Sequence, residues 1–340
     1  MTDRENLLRS FIHDAGWDDA QRVTVAGDAS NRRYDRLTRG DGTTAILMDA
    51  PAEKGEDVRP FMRIAKHLSD VGLNPPSILY ANAKTGFLLL EDLGDALFAR
   101  VLENDPSKET KLYEAAVDVL VHLHAAPMPE LATYDAQVMT DMAGLAYDWY
   151  LFGVTGQKDS AKTALFKAAF HKAILPLDAA PSVLIQRDYH AENLLWLPDQ
   201  NGLHRVGLLD FQDAMAGHAA YDLVSVLQDA RRDVPQAIEA AMVARYVTAT
   251  KAEPAEFETA YALLGAQRNL RILGVFARLC MAHGKAHYVD LIPRVWGHIE
   301  TNLRHPALSE ISVMVHADLP YPTPALLKKL KLQCATHPMP

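Results

Sequence analysis

The spacing of apolar positions changes several times along the chain, and each change marks an element. Leu7, Leu8, Phe11 and Ile12 recur at helical spacing within residues 3–15, and Gly16 ends the run, so a helix is expected there. RVTVA (22–26), YDRLT (34–38) and TTAILMD (43–49) then read as short strands. Asp41-Gly42 between the last two is a hairpin signal, and Pro51 stops the third run. Val58, Phe61, Ile64, Ala65 and Leu68 return to helical spacing up to Gly72. SILYA (77–81) and FLLLE (87–91) flank the polar turn NAKTG and read as a second hairpin. About five strands and one internal helix in the first ninety residues predict an α+β lobe with a mainly antiparallel sheet.

A short polar and glycine break, Glu91-Asp92-Leu93-Gly94, follows. Beyond it helical patterns dominate, with helices expected over 95–103, 107–126, 137–155, 158–178, 220–230, 234–249, 255–283 and 285–303. The exception is 183–211, where VLIQR (183–187), LLWL (194–197) and RVGLLDF (205–211) are short apolar runs between polar loops. The Pro-rich PYPTPA and the tail THPMP read as surface packing and a frayed end. The pattern divides the chain into a smaller lobe, 1–91, and a larger, mostly helical lobe, 92–340.

Composition adds exclusions. At 340 residues, 49% hydrophobic and 23% charged, the chain is neither disordered nor fibrous and can bury a large core without disulfides. Its net charge of −9 disfavours coating nucleic acid or an anionic membrane. The two cysteines, Cys280 and Cys334, form no metal or disulfide pattern and fit a reducing compartment. The N-terminal residues lack the apolar core of a signal peptide, and no run of eighteen apolar residues occurs. A cytoplasmic location is expected.

The candidate chemistry lies in the irregular middle stretch. Gln186-Arg187-Asp188-Tyr189-His190-Ala191-Glu192-Asn193 places Asp188 and Asn193 five apart on a loop, and seventeen residues later the strand Leu208-Leu209 ends in Asp210-Phe211. D-x4-N followed by strand-D-F is the spacing of kinase catalytic and metal loops. Phosphoryl transfer needs a carboxylate at the acceptor hydroxyl, for which Asp188 is the candidate. It also needs oxygen ligands for Mg²⁺, for which Asn193 and Asp210 are the candidates. A lone Asp or Asn in a loop is usually a turn former or a cap; three at this spacing, each beside an apolar strand, favour the kinase reading.

These motifs resemble the aminoglycoside phosphotransferase and choline kinase superfamily. The family pattern H-G-D-x-x-x-x-N appears here with Gln186-Arg187 before the Asp, and the family's G-x-x-x-Y-D-L appears as Gly217 through Leu223. The resemblance implies a two-lobed protein-kinase-like fold, ATP and Mg²⁺ as cofactors, a small-molecule acceptor, and a supporting rather than reactive role for Asp222. GDASNRRYDRL (27–37), ILMDAPAEK (46–54), RPFMRIAKHL (59–68), LLEDLGD (89–95) and QRNLRILGVFARL (267–279) are similar to one bacterial branch, the cell-wall-recycling amino-sugar kinases. That likeness implies transfer to the anomeric hydroxyl of N-acetylmuramate or N-acetylglucosamine.

On the nucleotide side, the loop between the first two strands offers Ser30, Asn31, Arg32 and Arg33 as phosphate contacts, although alone it reads as an ordinary Asp/Ser/Asn turn. Strand alternation lets at most one of Arg32 and Arg33 face the phosphates. The resemblance places adenine against the backbone at Glu91 and Leu93. Met48 stands near the position of the usual strand-three lysine; the nearest cations are Arg32, Arg33 and Lys54, of which Arg32 or Arg33 suits the missing charge better and Lys54 reads as a solvated turn, with Mg²⁺ alone as the alternative. On the substrate side, Arg268, Asn269 and Arg271, with Arg278 beyond them, could bind an anionic or hydroxyl-rich acceptor; a helix with solvated arginines is the plainer reading. Asp148, Trp149 and Tyr150 form a second polar-aromatic group, either a sugar platform or core. Other acceptors of the superfamily, such as choline, homoserine or an aminoglycoside, stay open, as does a pseudokinase; the intact Asp188, Asn193 and Asp210 set argues against the last.

Overall fold

The structure, a computed structural model, describes residues 3–25 and 31–337. The chain runs through helix α1 (Asp3–Asp14), strands β1 (Gln21–Thr24), β2 (Arg33–Thr38) and β3 (Thr44–Asp49), helix α2 (Arg59–Asp70), strands β4 (Ile78–Asn82) and β5 (Phe87–Glu91), and helices α3 (Phe98–Asn104) and α4 (Glu109–Ala125). Helices α5 (Ala136–Ala143), α6 (Phe152–Thr155) and α7 (Ser160–Ile174) precede four short strands, β6 (Val183–Ile185), β7 (Leu194–Trp196), β8 (Val206–Leu208) and β9 (Met215–Gly217). Helices α8 (Ala220–Leu227), α9 (Gln236–Thr250), α10 (Pro254–Met281), α11 (Ile292–Asn302), α12 (Ser309–Asp318) and α13 (Pro324–Lys331) follow. The long-range contacts divide the chain into two units, Met1–Val119 with Ala191–Ala214, and Leu120–His190 with Met215–Pro340.

The first unit is built on an antiparallel sheet of order β1-β2-β3-β5-β4. Asp41-Gly42 makes the expected turn. Thr43 N–H donates to Asp41 Oδ1 at 2.8 Å, and Gly42 takes φ 87°, a left-handed value that a side chain would resist. Phe87 to Leu90 of β5 are all buried, and β3 and β4 pair with the two edges of the strand. Leu8, Phe11 and Trp17 pack with Leu37, Ala45, Leu47, Phe87 and Leu89 into one core. Burying a side chain of that size contributes roughly 1.5–3 kcal/mol, so this α1 face anchors the N-terminus firmly. The amphipathic α2 buries Phe61, Ile64, Ala65 and Leu68, as its spacing predicts.

This unit does not stop at residue 91. It continues to Val119 and takes in the β7–β8 hairpin, because Trp196 N–H donates to the Ala96 carbonyl at 2.8 Å and Leu208 N–H to the Asn74 carbonyl at 3.0 Å.

The second unit surrounds α10, which is buried along most of its length and packs on α5, α8 and α11. The expected helix 137–155 is broken into α5, a wide π-type turn over Ala146–Leu151, and α6. The cause is close packing: a Cβ on Gly274 of α10 would stand 2.2 Å from the Leu145 carbonyl carbon. Strand β9 and helices α12 and α13 were not expected from the apolar spacing. The Pro-rich PYPTPA segment is in fact a helix start, with Thr323 Oγ1 accepting from Leu326 N–H at 3.3 Å and Pro324 in the first turn. Among the described residues no helix is long and apolar enough to cross a membrane.

Candidate functional site

In the first unit, β7 and β8 pair so that Asn193 and Asp210 leave adjacent strands side by side. Leu209 N–H donates to the Asn193 carbonyl at 3.0 Å, and Asn193 Nδ2 lies 3.4 Å from Asp210 Oδ2. Gln212 Nε2 donates to Asp210 Oδ1 at 2.6 Å and fixes the carboxylate. Asp210 takes φ 57°, uncommon for a residue with a side chain. The following Phe211 is fully buried, with its ring 4.8 Å from that of Phe61 on α2. An amide carbonyl beside a carboxylate is a hard oxygen donor set that suits Mg²⁺, which takes few protein ligands and completes its shell with phosphate oxygens and water. No cluster of three or more His, Cys, Asp or Glu side chains arranged for a metal occurs among the described residues.

Asn193 and Asp210 line a cavity of about 290 Å³. Its lining is apolar at Val25, Ile46, Leu90 and Leu209 and includes the segment Glu91 to Asp95. Glu91 and Leu93, singled out from the sequence, both line this cavity. Glu91 bonds at both ends to Ser77, its N–H donating to the Ser77 carbonyl at 2.8 Å and its carboxylate accepting from the Ser77 N–H at 3.1 Å. Arg36, on the same cavity, was not singled out from sequence. It bridges to Asp92 at 2.6 Å and Asp95 at 2.8 Å and so ties β2 to the segment after β5. Its only sequence signal is an outward position on an alternating strand.

Ser30 lies outside the described residues. Asn31 and Arg32 are both joined to the turn after β3: Glu56 accepts from Asn31 N–H at 3.1 Å and from Arg32 Nε at 2.7 Å, and Asn31 Nδ2 donates to the Lys54 carbonyl at 3.1 Å. Arg33 turns elsewhere, donating to the buried Asp35 at 3.0 Å and to Thr24 at 3.2 Å. Lys54 is exposed in a short 3-10 turn, and Met48 is buried in the sheet.

In the second unit, β6 pairs with β9 and delivers the loop that begins at Gln186. Asp222, fully buried on α8, accepts from Gln186 N–H at 2.6 Å and from Arg187 N–H at 2.9 Å, while Ser225 Oγ donates to the Arg187 carbonyl. These bonds hold Arg187 at φ 71° immediately before Asp188. Burial pushes the Asp222 carboxyl up to about 7 despite both N–H donors and Arg268. Asp188 goes the other way. Burial opposes its charge, but Arg271, Arg268 and Arg187 outweigh burial and hold it below the usual carboxylate value. His190 is buried and accepts from Arg231 at 3.2 Å; burial and that guanidinium push it down to about 4, so it is neutral and braces the loop.

The arginines of α10 are buried or half-buried, contrary to the plainer reading of a solvated row. Arg268 is 2% exposed and reaches the Gln228 carbonyl, and Arg271 acts on both Asp188 and the Tyr221 hydroxyl. Asn269 departs from its expected substrate role. It is fully buried, and its amide donates to Gln228 Oε1 and the Gly265 carbonyl, both at 2.9 Å. Asn302 Nδ2 donates to the same Gln228 oxygen at 2.8 Å, so Asn269 belongs to a network that joins α8, α10 and α11. Helical spacing alone could not separate this buried face from a binding face. Tyr150 is buried and donates to the Pro320 carbonyl at 2.7 Å, which makes it core, while Trp149 is half-buried and Asp148 exposed.

Residues 22–259 match the phosphotransferase enzyme family. An N-acetylmuramate/N-acetylglucosamine kinase of Caulobacter vibrioides is 36% identical over 95% of this chain and 98% of its own length. A protein of the same name from Pseudomonas aeruginosa is 35% identical over 93% and 94%. Among solved structures, a choline kinase from Streptococcus pneumoniae superposes with a TM-score of 0.61 at 14% identity, covering 88% of this chain and all of that one, which shows a shared fold. The matched residues include both the Asp188–Asn193 loop and Asp210, and the chain belongs to the phosphotransferase enzyme family.

Proposed function

We propose that the chain is an ATP-dependent kinase that phosphorylates the anomeric hydroxyl of an amino sugar, N-acetylmuramate or N-acetylglucosamine. The observation that carries this reading is the identity of about a third, over nearly the whole chain, to proteins of that name. The cationic surroundings of Asp188 support a hydroxyl-rich or anionic acceptor over a cationic one such as choline.

In this reading the 290 Å³ cavity receives adenine, with Glu91 and Leu93 offering backbone groups and Val25, Ile46 and Leu90 covering the ring faces. Asn193 and Asp210 would hold Mg²⁺, which supplies charge neutralisation on the phosphates when bound. Asn31 and Arg32, fixed by Glu56, contribute at the phosphate end together with Ser30, while Arg33 is turned away to Asp35 and Thr24. Asp188, kept ionised by Arg271, Arg268 and Arg187, orients the acceptor hydroxyl and takes its proton as the oxygen attacks the γ-phosphorus. ADP leaves and a sugar 1-phosphate forms. Positioning and electrostatics do most of the work, since phosphoryl transfer asks little covalent chemistry of the protein. A cytoplasmic location belongs to this reading, as ATP is at hand there and Cys280 and Cys334 are free thiols.

The test is ADP release with Mg-ATP and either sugar, set beside the methyl glycosides. Turnover of the free sugars but not the glycosides is expected, because the methyl group removes the nucleophile and leaves the other hydroxyls. Turnover of a methyl glycoside would move the chemistry to another hydroxyl.

A further inference from the structure

Most polar side chains in the middle of α10 are engaged within the unit. Gln267 donates to the Met139 carbonyl at 2.8 Å, Arg268 to the Gln228 carbonyl, Asn269 to Gln228 and Gly265, and Arg271 interacts with Tyr221 and Asp188. Arg278 differs. It is half-buried, its Nε, like that of Arg268, is sealed from solvent without a hydrogen-bond partner, and among the described residues no other hydrogen bond or ion pair holds its guanidinium. The charge acting on it is Arg271, of the same sign, which together with burial lowers its affinity for its own proton.

Seven residues separate Arg271 from Arg278. At 100° and 1.5 Å per residue their directions differ by about 20° and their Cα atoms by about 10 Å, so the two guanidinium groups rise from one stripe of the helix. Two cations on one stripe, with a buried N–H lacking an acceptor, are costly unless an anion joins them. No carboxylate among the described residues pairs with Arg278, which leaves that place for an anion from outside. Arg271 also acts on Asp188, so the stripe leads away from the carboxylate assigned to the reacting hydroxyl.

Resting on the amino-sugar kinase reading, we propose that Arg278, with Arg271, binds the carboxylate of an acidic amino sugar and is the residue that distinguishes N-acetylmuramate from N-acetylglucosamine. The first sugar carries a lactyl carboxylate on its ring and the second a plain hydroxyl, so Arg278 has a charged partner in one complex and none in the other. A guanidinium suits this role because it can grip both carboxylate oxygens.

The test compares kcat/KM for the two sugars in the unaltered chain, in Arg278→Gln and in Arg278→Lys, with thermal unfolding of each protein as a check on folding. Arg278→Gln is expected to lower kcat/KM for N-acetylmuramate at least tenfold, mainly through KM, and that for N-acetylglucosamine less than threefold. Arg278→Lys should recover part of the loss, since it restores charge without the fork. Equal losses on both sugars, or no loss on either, would overturn the carboxylate subsite alone. Turnover of neither sugar by the unaltered chain would overturn the sugar-kinase reading and the subsite with it.

Discussion

Replacing Asp222 tests how the loop before Asp188 is held. In Asp222→Ala the N–H groups of Gln186 and Arg187, bonded at 2.6 and 2.9 Å, both lose their acceptor. A buried donor left unpaired costs about 1–3 kcal/mol, so two cost roughly 2–6 kcal/mol. A left-handed backbone residue adds about 1–2 kcal/mol of strain, which these bonds now offset at Arg187. A loss near 4 kcal/mol lowers Tm by roughly 10 °C at about 2–4 °C per kcal/mol. The freed loop should also lower kcat, while KM for ATP stays within about twofold because Asp222 does not line the nucleotide cavity. The pH dependence has a definite sign. The folded-state pKa of Asp222 lies near 7, above its ordinary 3.8, so its contribution is complete at acid pH and is lost as pH rises through 7. Asp222→Asn, which cannot ionise, should therefore be penalised more at pH 5 than at pH 8, by on the order of 1–3 kcal/mol. Calorimetric unfolding across that range and steady-state kinetics read both effects. An alanine variant with Tm within about 3 °C and kcat within twofold of the unaltered chain, or an asparagine penalty that grows toward alkaline pH, would refute the reasoning.

Other residues give sharper, single readouts. Asp188→Asn keeps the shape and removes the proton acceptor, so kcat should fall about 10²–10⁴-fold with nucleotide affinity nearly unchanged; near-normal turnover would remove Asp188 from its role. Asp210→Ala deletes the carboxylate of the metal pair, and calorimetry should show Mg²⁺-dependent ATP binding abolished; Mg-ATP binding as tight as before would contradict that. Arg32→Ala should raise KM for ATP at least about tenfold, roughly 1.4 kcal/mol, with a smaller effect for Arg33→Ala, whose guanidinium is turned to Asp35 and Thr24, and little for the exposed Lys54→Ala. Ordinary ATP kinetics in all three would leave the charge of the missing strand-three lysine to Mg²⁺.

The strand and helix order of the first ninety residues was legible because each element buries one face and shows its period, as in α2 and the hairpin at Asp41-Gly42. The D-x4-N and D-F spacing was legible because loop chemistry is local in sequence. Other features depend on partners far along the chain. The π-type turn over Ala146–Leu151 follows from the approach of Gly274, more than a hundred residues later. β9 exists because β6 needs a partner, and three residues leave no periodic trace. Arg36 and Asn269 show the same limit in opposite directions. One is a plain outward strand residue that braces the cavity, and the other is a polar helix residue that faces inward to Gln228. The Thr-Pro start of α13 carried its signal openly, in a stretch where proline reads first as a breaker.

Phosphorus and proton NMR of the product tests the central claim most directly. The chain is incubated with Mg-ATP and N-acetylglucosamine, and the position of the new phosphate is read from its coupling to the sugar protons. The account expects one sugar monophosphate whose phosphorus couples to the anomeric proton, formed in step with ADP and absent with Asp188→Asn. A product whose phosphorus couples to the C6 protons, or ADP formed with no sugar phosphate, would contradict it.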